Sequence, residues 1–156
     1  MANKEIVSSG SWQTGKMPRA AFPLSKSGEK AYRLGNRRWR VVEFRVLGME
    51  GRLLVNFSVT LGQYQALLGM VVAGDTKILA QLEYQPTHAG WHAHVACDPI
   101  ASIPSGIRRG PWVRKLKRGP AYLMKRPFDF SEADALGVAY RFYRMDRISP
   151  SDRRLV

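Results

Sequence analysis

The sequence predicts a single α+β domain, built on an antiparallel β-sheet of about four to five strands with flanking helices. Three segments support this prediction: two that are typical of β-hairpins, over 37–61 and 75–97, and one typical of a capped helix, over 131–147. A chain of 156 residues, 45% of them hydrophobic, is long enough to bury one core. No repeat or linker divides it, so 31–147 is expected to fold as one unit.

The first predicted hairpin consists of RRWRVVEFRVL (37–47), a turn at GMEG (48–51) and RLLVNFSVTL (52–61). Apolar residues recur at every second position of its second strand and therefore share one face: Leu53, Val55, Phe57, Val59 and Leu61. A period of two predicts one face on the core and one face open to solvent. The next segment, GQYQALLGMVVAG (62–74), instead predicts a short helix with its apolar side at Leu67, Leu68, Val71 and Val72.

The second predicted hairpin consists of DTKILAQLEYQ (75–85), a turn at PTHAG (86–90) and WHAHVAC (91–97). Residues two apart in a strand share a face, so His92 and His94 are predicted to point together. The alternate residues are expected to face the core: Trp91, Ala93, Val95 and Cys97.

The C-terminal part begins with a long basic loop and ends with a helix. Residues 98–120 contain four prolines, three glycines and six basic residues, which favour irregular backbone. Helix 131–147 has a capping box formed by Ser131 and Asp134. The ends are predicted to be a flexible basic arm (1–30) and a flexible tail (148–156).

The charge is the first indication of function. Lys and Arg number 25 against 12 Asp and Glu, which gives a net charge of +13. Two basic segments, 1–47 and 98–125, flank a nearly neutral centre. Such a charge indicates a polyanionic partner, of which nucleic acid is the commonest, rather than a role in solubility alone.

A single cysteine and the lack of any membrane-spanning run or signal peptide predict a cytoplasmic protein with no membrane partner.

The histidines are the second indication. All three lie in the second hairpin, where His92 and His94 are expected to share a face. Glu83 of the neighbouring strand is the candidate for a third ligand, and His88 in the turn is a weaker one. Two imidazoles and a carboxylate form a ligand set for a divalent metal. The alternative is ordinary polarity on a solvated strand face. Structural zinc is not expected, because the sequence has no CxxC motif.

The hairpin also resembles a known motif. Glu83-Tyr84 followed by Gly90-Trp91-His92-Ala93-His94-Val95 is similar to the second motif of the HUH endonuclease superfamily, which includes rolling-circle replication initiators and relaxases. Phe57-Ser58-Val59-Thr60-Leu61 is similar to that superfamily's first motif, and Tyr122-Leu123-Met124-Lys125 to its third. The resemblance covers residues 52–126 and implies an antiparallel sheet with flanking helices, in a protein of a plasmid, phage or other mobile element.

The resemblance implies a mechanism for cutting single-stranded DNA. Mg²⁺ or Mn²⁺ on His92, His94 and Glu83 would polarise the scissile phosphate. Tyr122 would be the nucleophile and Lys125 would offset developing negative charge. The basic loop would hold the strand through Arg108, Arg109, Arg114, Lys115, Lys117 and Arg118, with Trp112 as a stacking surface.

A further basic segment surrounds Trp39. Arg37, Arg38 and Arg40 interleaved with an aromatic residue suit contact with a nucleic-acid backbone, or equally a charged edge strand. The competing functional hypothesis is therefore a non-enzymatic binder of nucleic acid, DNA or RNA, or of a host nucleoprotein complex. Tyr140 and Tyr143 are expected to pack the last helix rather than act as nucleophiles. The sequence leaves the oligomeric state open.

Overall fold

The computed structural model describes residues 2–24, 34–88, 90–104, 113–116 and 131–146. Within these ranges the regular elements are nine strands, one α-helix and two short 3₁₀ turns at Pro86–His88 and Ile100–Ser102. In chain order they are β1 (Lys4–Ser9), β2 (Gln13–Thr14), β3 (Arg38–Val46), β4 (Met49–Ser58), β5 (Gln63–Val72), β6 (Asp75–Gln85), β7 (Gly90–Ala96), β8 (Val113–Leu116), α1 (Glu132–Tyr143) and β9 (Met145–Asp146).

The strands form one mixed sheet in the order β8-β7-β6-β5-β4-β3-β1-β9, and β2 pairs with β3. From β3 to β8 each strand pairs antiparallel with the next one along the chain. The parallel pair is β1 with β9. The predicted fold class is therefore wrong: the described chain is mostly β, and its sheet is far larger than four to five strands.

The main cause of this error is the segment 62–74, which is predicted as a helix but forms β5. Tyr64, Ala66, Leu68 and Met70 lie on one face of the strand, and Leu67 on the other. Both faces are buried, so the apolar residues run almost continuously and show no clean period of two. Periodicity alone cannot distinguish such a strand from a short buried helix.

The two hairpins are confirmed as β3–β4 and β6–β7, but the predicted open face of β4 is wrong. Leu54 and Asn56, on that face, are as fully buried as Leu53 and Val55 on the other. The sheet is thus covered on both sides. Its two sides are named here the helix face, on which α1 packs, and the histidine face, which carries His92 and His94.

The helix face holds the larger core. Ala135, Val138, Ala139 and Tyr143 of α1 pack on apolar residues of β3 to β7. The predicted N-cap is confirmed, since the Ser131 hydroxyl accepts a hydrogen bond of 3.1 Å from the backbone N–H of Asp134. Trp91 and Ala93 of β7 belong to this core, as expected, whereas Cys97 lies beyond the end of the strand and is exposed.

A second core lies on the histidine face and comes from the N-terminal segment that was predicted to be a flexible arm. Met17, Phe22 and Leu24 are buried there against residues of β3 to β6. The Trp39 side chain belongs to the same core and donates from Nε1 to the Gly15 carbonyl at 2.9 Å. Enough apolar residues lie within 1–30 to order part of it against the sheet.

Lys4 anchors β1 to the end of the helix. Its ammonium group is buried and donates to the carbonyl of Tyr143, the last helical residue, at 2.6 Å. Burial, together with the nearby Arg144, lowers the pKa of Lys4. A cation at a helix C-terminus is favourable because the carbonyls there carry partial negative charge.

Replacing Gly51 by alanine is expected to destabilise the protein by about 1–3 kcal/mol, as overpacking of a core does. Gly51 pairs with Phe44 across β3 and β4, and an added Cβ would lie 2.2 Å from the Phe44 ring. That ring is completely buried and cannot move aside without displacing the core. Urea unfolding measures the change.

Gly137→Ala provides the control for this measurement. An added Cβ meets nothing within 4 Å there, and the residue lies inside α1. Alanine is expected to stabilise a helix interior by about 0.5–1 kcal/mol. Equal stability of the Gly51→Ala variant and the wild type would contradict the packing of Phe44 over Gly51.

Candidate metal centre

The β6–β7 hairpin brings Glu83, His92 and His94 together, and these three residues are named here the triad. Glu83 pairs directly with His92 across the two strands. His94 lies two residues further along β7, on the same face. His92 Nε2 is 2.7 Å from Glu83 Oε2, and His94 Nε2 is 3.8 Å from the same oxygen. The juxtaposition expected from the sequence is therefore present.

The spacing of the triad suits a metal ion. One ligand atom from each residue can be chosen so that all three lie within 4.8 Å of one another. A tetrahedral ion with bonds of about 2.1 Å separates its ligand atoms by roughly 3.4 Å. The separations of 2.7 and 3.8 Å bracket this value, so the spacing of the triad is compatible with one coordination sphere.

The triad is largely enclosed. The side chains of Glu83, His92 and His94 are 3%, 8% and 12% exposed. A carboxylate buried to this extent needs partners, because burying an isolated charge is costly. His94 has the largest exposed fraction, so any ligand from solvent would approach the triad on its side.

A row of polar side chains supports the triad from the neighbouring strands. Gln65 of β5 pairs with Glu83 and donates from Nε2 to Glu83 Oε1 at 3.0 Å. Asn56 of β4 pairs with Gln65 and donates to its Oε1 at 3.4 Å. Arg37 in turn donates to Asn56 Oδ1 at 3.3 Å. Hydrogen bonds of this kind fix the orientation of a metal-ligating carboxylate.

Two buried polar groups next to the triad lack a hydrogen-bond partner among the described residues. They are Nδ1 of His92 and the side-chain amide of Gln81, at both its oxygen and its nitrogen. Gln81 is 2% exposed and pairs with His94. Buried polar groups are normally satisfied by protein, water or a ligand. The Gln81 amide is therefore a buried polar group beside His94 that the described residues leave unsatisfied.

The sequence did not identify Gln65, Asn56 and Gln81 as members of this site. The alternating polar positions of β5 contained a signal, because Gln63 and Gln65 are two apart in an otherwise apolar segment. That signal is readable only once 62–74 is recognised as a strand.

The basic segment after β7 contributes the strand next to the histidines. β8 lies within the predicted loop 98–120 and pairs antiparallel with β7. In this register Lys115 is the partner of His94, and Arg114 of Val95. Other residues predicted to bind nucleic acid lie outside the described residues: Arg108, Arg109, Trp112, Lys117 and Arg118.

In the basic segment around Trp39, the aromatic ring and two of the arginines have partners within the protein. Trp39 is 2% exposed, so its ring is not available to stack on a base. Arg38 pairs with Glu132 of α1 at 2.6 Å, and Arg40 donates to the Ser9 hydroxyl at 2.7 Å. Trp39 is buried because the N-terminal segment covers this part of the histidine face.

The predicted nucleophile Tyr122 and its neighbour Lys125 lie outside the described residues. The four described tyrosines all belong to the core of the helix face, on the opposite side of the sheet from the triad: Tyr64, Tyr84, Tyr140 and Tyr143. The Tyr143 hydroxyl donates to the Ala66 carbonyl at 2.8 Å, and burial raises its pKa. Within the described ranges, then, no tyrosine is placed to act at the triad.

No helix in the described ranges has the length and apolar character that a membrane span requires. Comparison with known proteins finds no matching family model, curated protein or solved structure.

Proposed function

We propose that this protein binds a nucleic acid, with single-stranded DNA favoured, and that the triad holds a divalent metal ion that supports cleavage of the bound strand. The observation that carries the proposal is the triad itself: three metal-ligating side chains within 4.8 Å, braced by Gln65. The net charge of +13 and the pairing of β8 with β7 support the choice of substrate.

The ligand atoms of the triad limit which metal ions fit the site. Two imidazole nitrogens and one carboxylate are typical of Zn²⁺ and of other transition ions, whereas Mg²⁺ prefers oxygen ligands and keeps several waters. Of the two ions implied by the family resemblance, Mn²⁺ therefore fits better than Mg²⁺. When bound, such an ion would supply a Lewis acid for a phosphodiester oxygen.

The protein groups have separate roles in this proposal. His92 and His94 act as neutral imidazole ligands, and Gln65 keeps the Glu83 carboxylate in place for the third bond. The family resemblance assigns the nucleophile to Tyr122. Its phenolic oxygen would lose its proton to solvent and form a bond to phosphorus, the bond from phosphorus to the 3′-oxygen would break, and that oxygen would take up a proton. The fragment downstream of the cut would remain attached to the tyrosine through its 5′-phosphate, and the upstream fragment would leave with a free 3′-hydroxyl.

Incubation with a single-stranded 30-mer and Mn²⁺ tests this function. The wild-type protein is expected to shorten the oligonucleotide and to form a covalent adduct visible as a slower band on a denaturing gel. Tyr122→Phe is expected to abolish the adduct. The double variant His92→Ala/His94→Ala is expected to abolish the cleavage that depends on metal. Tyr140→Phe is the matched control, because Tyr140 packs on the helix face. Cleavage that all these variants retain would contradict the proposal.

The low exposure of the triad favours a second candidate function, a non-enzymatic binder. In this case Glu83, His92 and Gln65 form a buried polar network that fixes the register of β5, β6 and β7, and the charge alone binds the nucleic acid or a nucleoprotein. Such a protein would bind the 30-mer in a salt-dependent manner and leave it intact with every metal.

A further inference from the structure

The start of β3 and the end of β4 form a cavity that is distinct from the triad. The cavity has a volume of about 500 Å³. It is lined by residues 34–38, at the start of β3, and by 57–61, at the end of β4 and in the turn that follows. This volume lies within the range of about 300–1,000 Å³ that small-molecule sites occupy. None of the three triad residues lines this cavity, and Arg37 links the two sites through its hydrogen bond to Asn56.

The cavity has an uncompensated positive charge. Arg37, which lines it, donates to the side-chain oxygens of Asn56 and Gln63, both of which are neutral amides. Among the described residues no carboxylate lies within ion-pairing distance of Arg37, whereas the neighbouring Arg38 is paired with Glu132. A half-buried guanidinium held only by neutral acceptors remains available to an anion.

The opposite wall is apolar and exposed. Val59 and Leu61 are 67% and 61% exposed, although both lie at the mouth of a cavity. The turn that carries them is ordered by two hydrogen bonds, from Gly62 N to the Val59 carbonyl at 3.2 Å and from Leu61 N to the Ser58 hydroxyl at 3.1 Å. A flat apolar ring such as a nucleobase would cover both side chains.

We infer that this cavity binds one nucleotide of the strand that the protein holds, with a phosphate on Arg37 and the base against Val59 and Leu61. The inference rests on the proposed binding of nucleic acid. Proteins hold single strands without reading their sequence by pairing positive charge on the backbone with side-chain surfaces against the bases, most often aromatic ones. In this cavity the aliphatic Val59 and Leu61 would take that second part.

The position of the cavity relative to the triad supports the assignment. The hydrogen-bonded row Arg37–Asn56–Gln65–Glu83 runs from the cavity to the metal centre, along one level of the sheet. Three inter-strand spacings separate Asn56 from His92, roughly 15 Å at about 4.8 Å each. The row therefore joins the cavity to the metal centre through hydrogen bonds inside the protein.

Replacing Arg37 by glutamine tests the inference, with Arg45→Gln as the matched control. Both residues lie on or beside β3, and Arg45 is exposed near the opposite end of the strand. The affinity for a fluorescein-labelled single-stranded 20-mer is measured by anisotropy in about 0.1 M salt. Loss of one phosphate contact is expected to lower the affinity about 5-fold for Arg37→Gln, and Arg45→Gln less than 2-fold. Equal losses in the two variants would overturn the assignment.

Arg37→Gln also removes two internal hydrogen bonds, so misfolding could lower its affinity as well. A second pair of variants tests the cavity without changing Arg37. Leu61→Asp and Leu47→Asp place the same charge on two exposed turns at opposite ends of the β3–β4 hairpin. Leu61→Asp is expected to lower the affinity at least 3-fold more than Leu47→Asp. An equal effect of the two changes would contradict binding of the strand at the cavity.

Titration with adenosine 5′-monophosphate separates this inference from the proposed function. Amide chemical shifts are expected to move at residue 37 and at 59–62, and the titration does not depend on binding of a long strand. If the 20-mer does not bind to the wild-type protein, the proposed function fails, and the nucleotide titration alone decides whether the cavity is a site. Shifts absent from these residues would overturn the cavity even if the 20-mer binds.

Discussion

Replacing His92 and His94 together by alanine is expected to lower the affinity for Zn²⁺ or Mn²⁺ more than about 100-fold. The two changes leave the Glu83 carboxylate as the one ligand of the triad. Loss of a partner that merely orients a ligand costs about 10–100-fold, and loss of the ligands themselves costs more. Isothermal titration calorimetry with each ion measures the affinity and the stoichiometry, which is expected to be one ion per chain.

Gln65→Ala provides a graded test in the same titration. Its amide holds Glu83 Oε1 at 3.0 Å without belonging to the triad, so its loss is expected to reduce the affinity about 10–100-fold. Glu50→Gln is the control, because Glu50 is an exposed carboxylate in an ion pair with Arg52. If Glu50→Gln weakened metal binding as strongly as Gln65→Ala, binding would reflect surface charge rather than the triad.

Thermal unfolding gives a second measurement for the same prediction. A ligand present at about 100 times its dissociation constant stabilises the folded state by about 2.7 kcal/mol. For a chain of this size that corresponds to a rise in Tm of roughly 5–10 °C. The wild-type protein is expected to show this rise, and the His92→Ala/His94→Ala variant to show none at the same concentration.

Replacing Arg114 and Lys115 of β8 by glutamine is expected to lower the affinity for a single-stranded 20-mer roughly 25-fold in about 0.1 M salt. Each phosphate contact with a single strand contributes about 0.7 to the salt dependence, so two lost contacts reduce the slope of log K against log salt by about 1.4. Both residues lie on the strand that pairs with β7. Fluorescence anisotropy at several salt concentrations measures the affinity and the slope together.

The control for this experiment removes the same charge elsewhere. Arg19→Gln/Arg45→Gln affects two exposed basic residues that belong to neither the triad nor β8. Their loss is expected to lower the affinity less than 3-fold and to leave the slope nearly unchanged. An equal fall for the two double variants would mean that binding follows net charge and has no preferred surface.

The sequence predicts correctly the elements that are marked by nearby residues, such as those that form a turn or cap a helix. The β6–β7 hairpin was recognisable because Pro86 and Gly90 bound its turn, and helix α1 because Ser131 caps it. Glu83 is the candidate third ligand because it is the acidic residue on the neighbouring strand of that hairpin. From there, a period of two was enough to place His92 and His94 on one face.

The errors came from burial on both faces of the sheet, which local patterns do not reveal. β5 was predicted as a helix because its two buried faces remove the alternation that identifies a strand. The burial of Trp39 is not visible in local patterns for a related reason. Its ring is covered by Met17, Phe22 and their neighbours, which are remote in sequence and were expected to be a flexible arm.

The supporting residues of the metal centre were missed for the same reason. Gln65 donates to Glu83 and Asn56 donates to Gln65, so the row crosses three strands, and such long-range pairing depends on the order of strands in the sheet. The sequence indicated the ligands, whereas the hydrogen bonds that hold them required the tertiary structure.

The central claim is that Glu83, His92 and His94 form a metal centre, and anomalous diffraction tests it most directly. A crystal soaked with Mn²⁺ or Zn²⁺ and measured at the absorption edge of that metal is expected to show one strong peak, about 2.0–2.2 Å from an oxygen of Glu83 and a nitrogen of each histidine. The hydrogen bond of 2.7 Å between His92 and Glu83 would then be replaced by two metal bonds. A map without a peak at the triad, with that hydrogen bond intact, would contradict the claim.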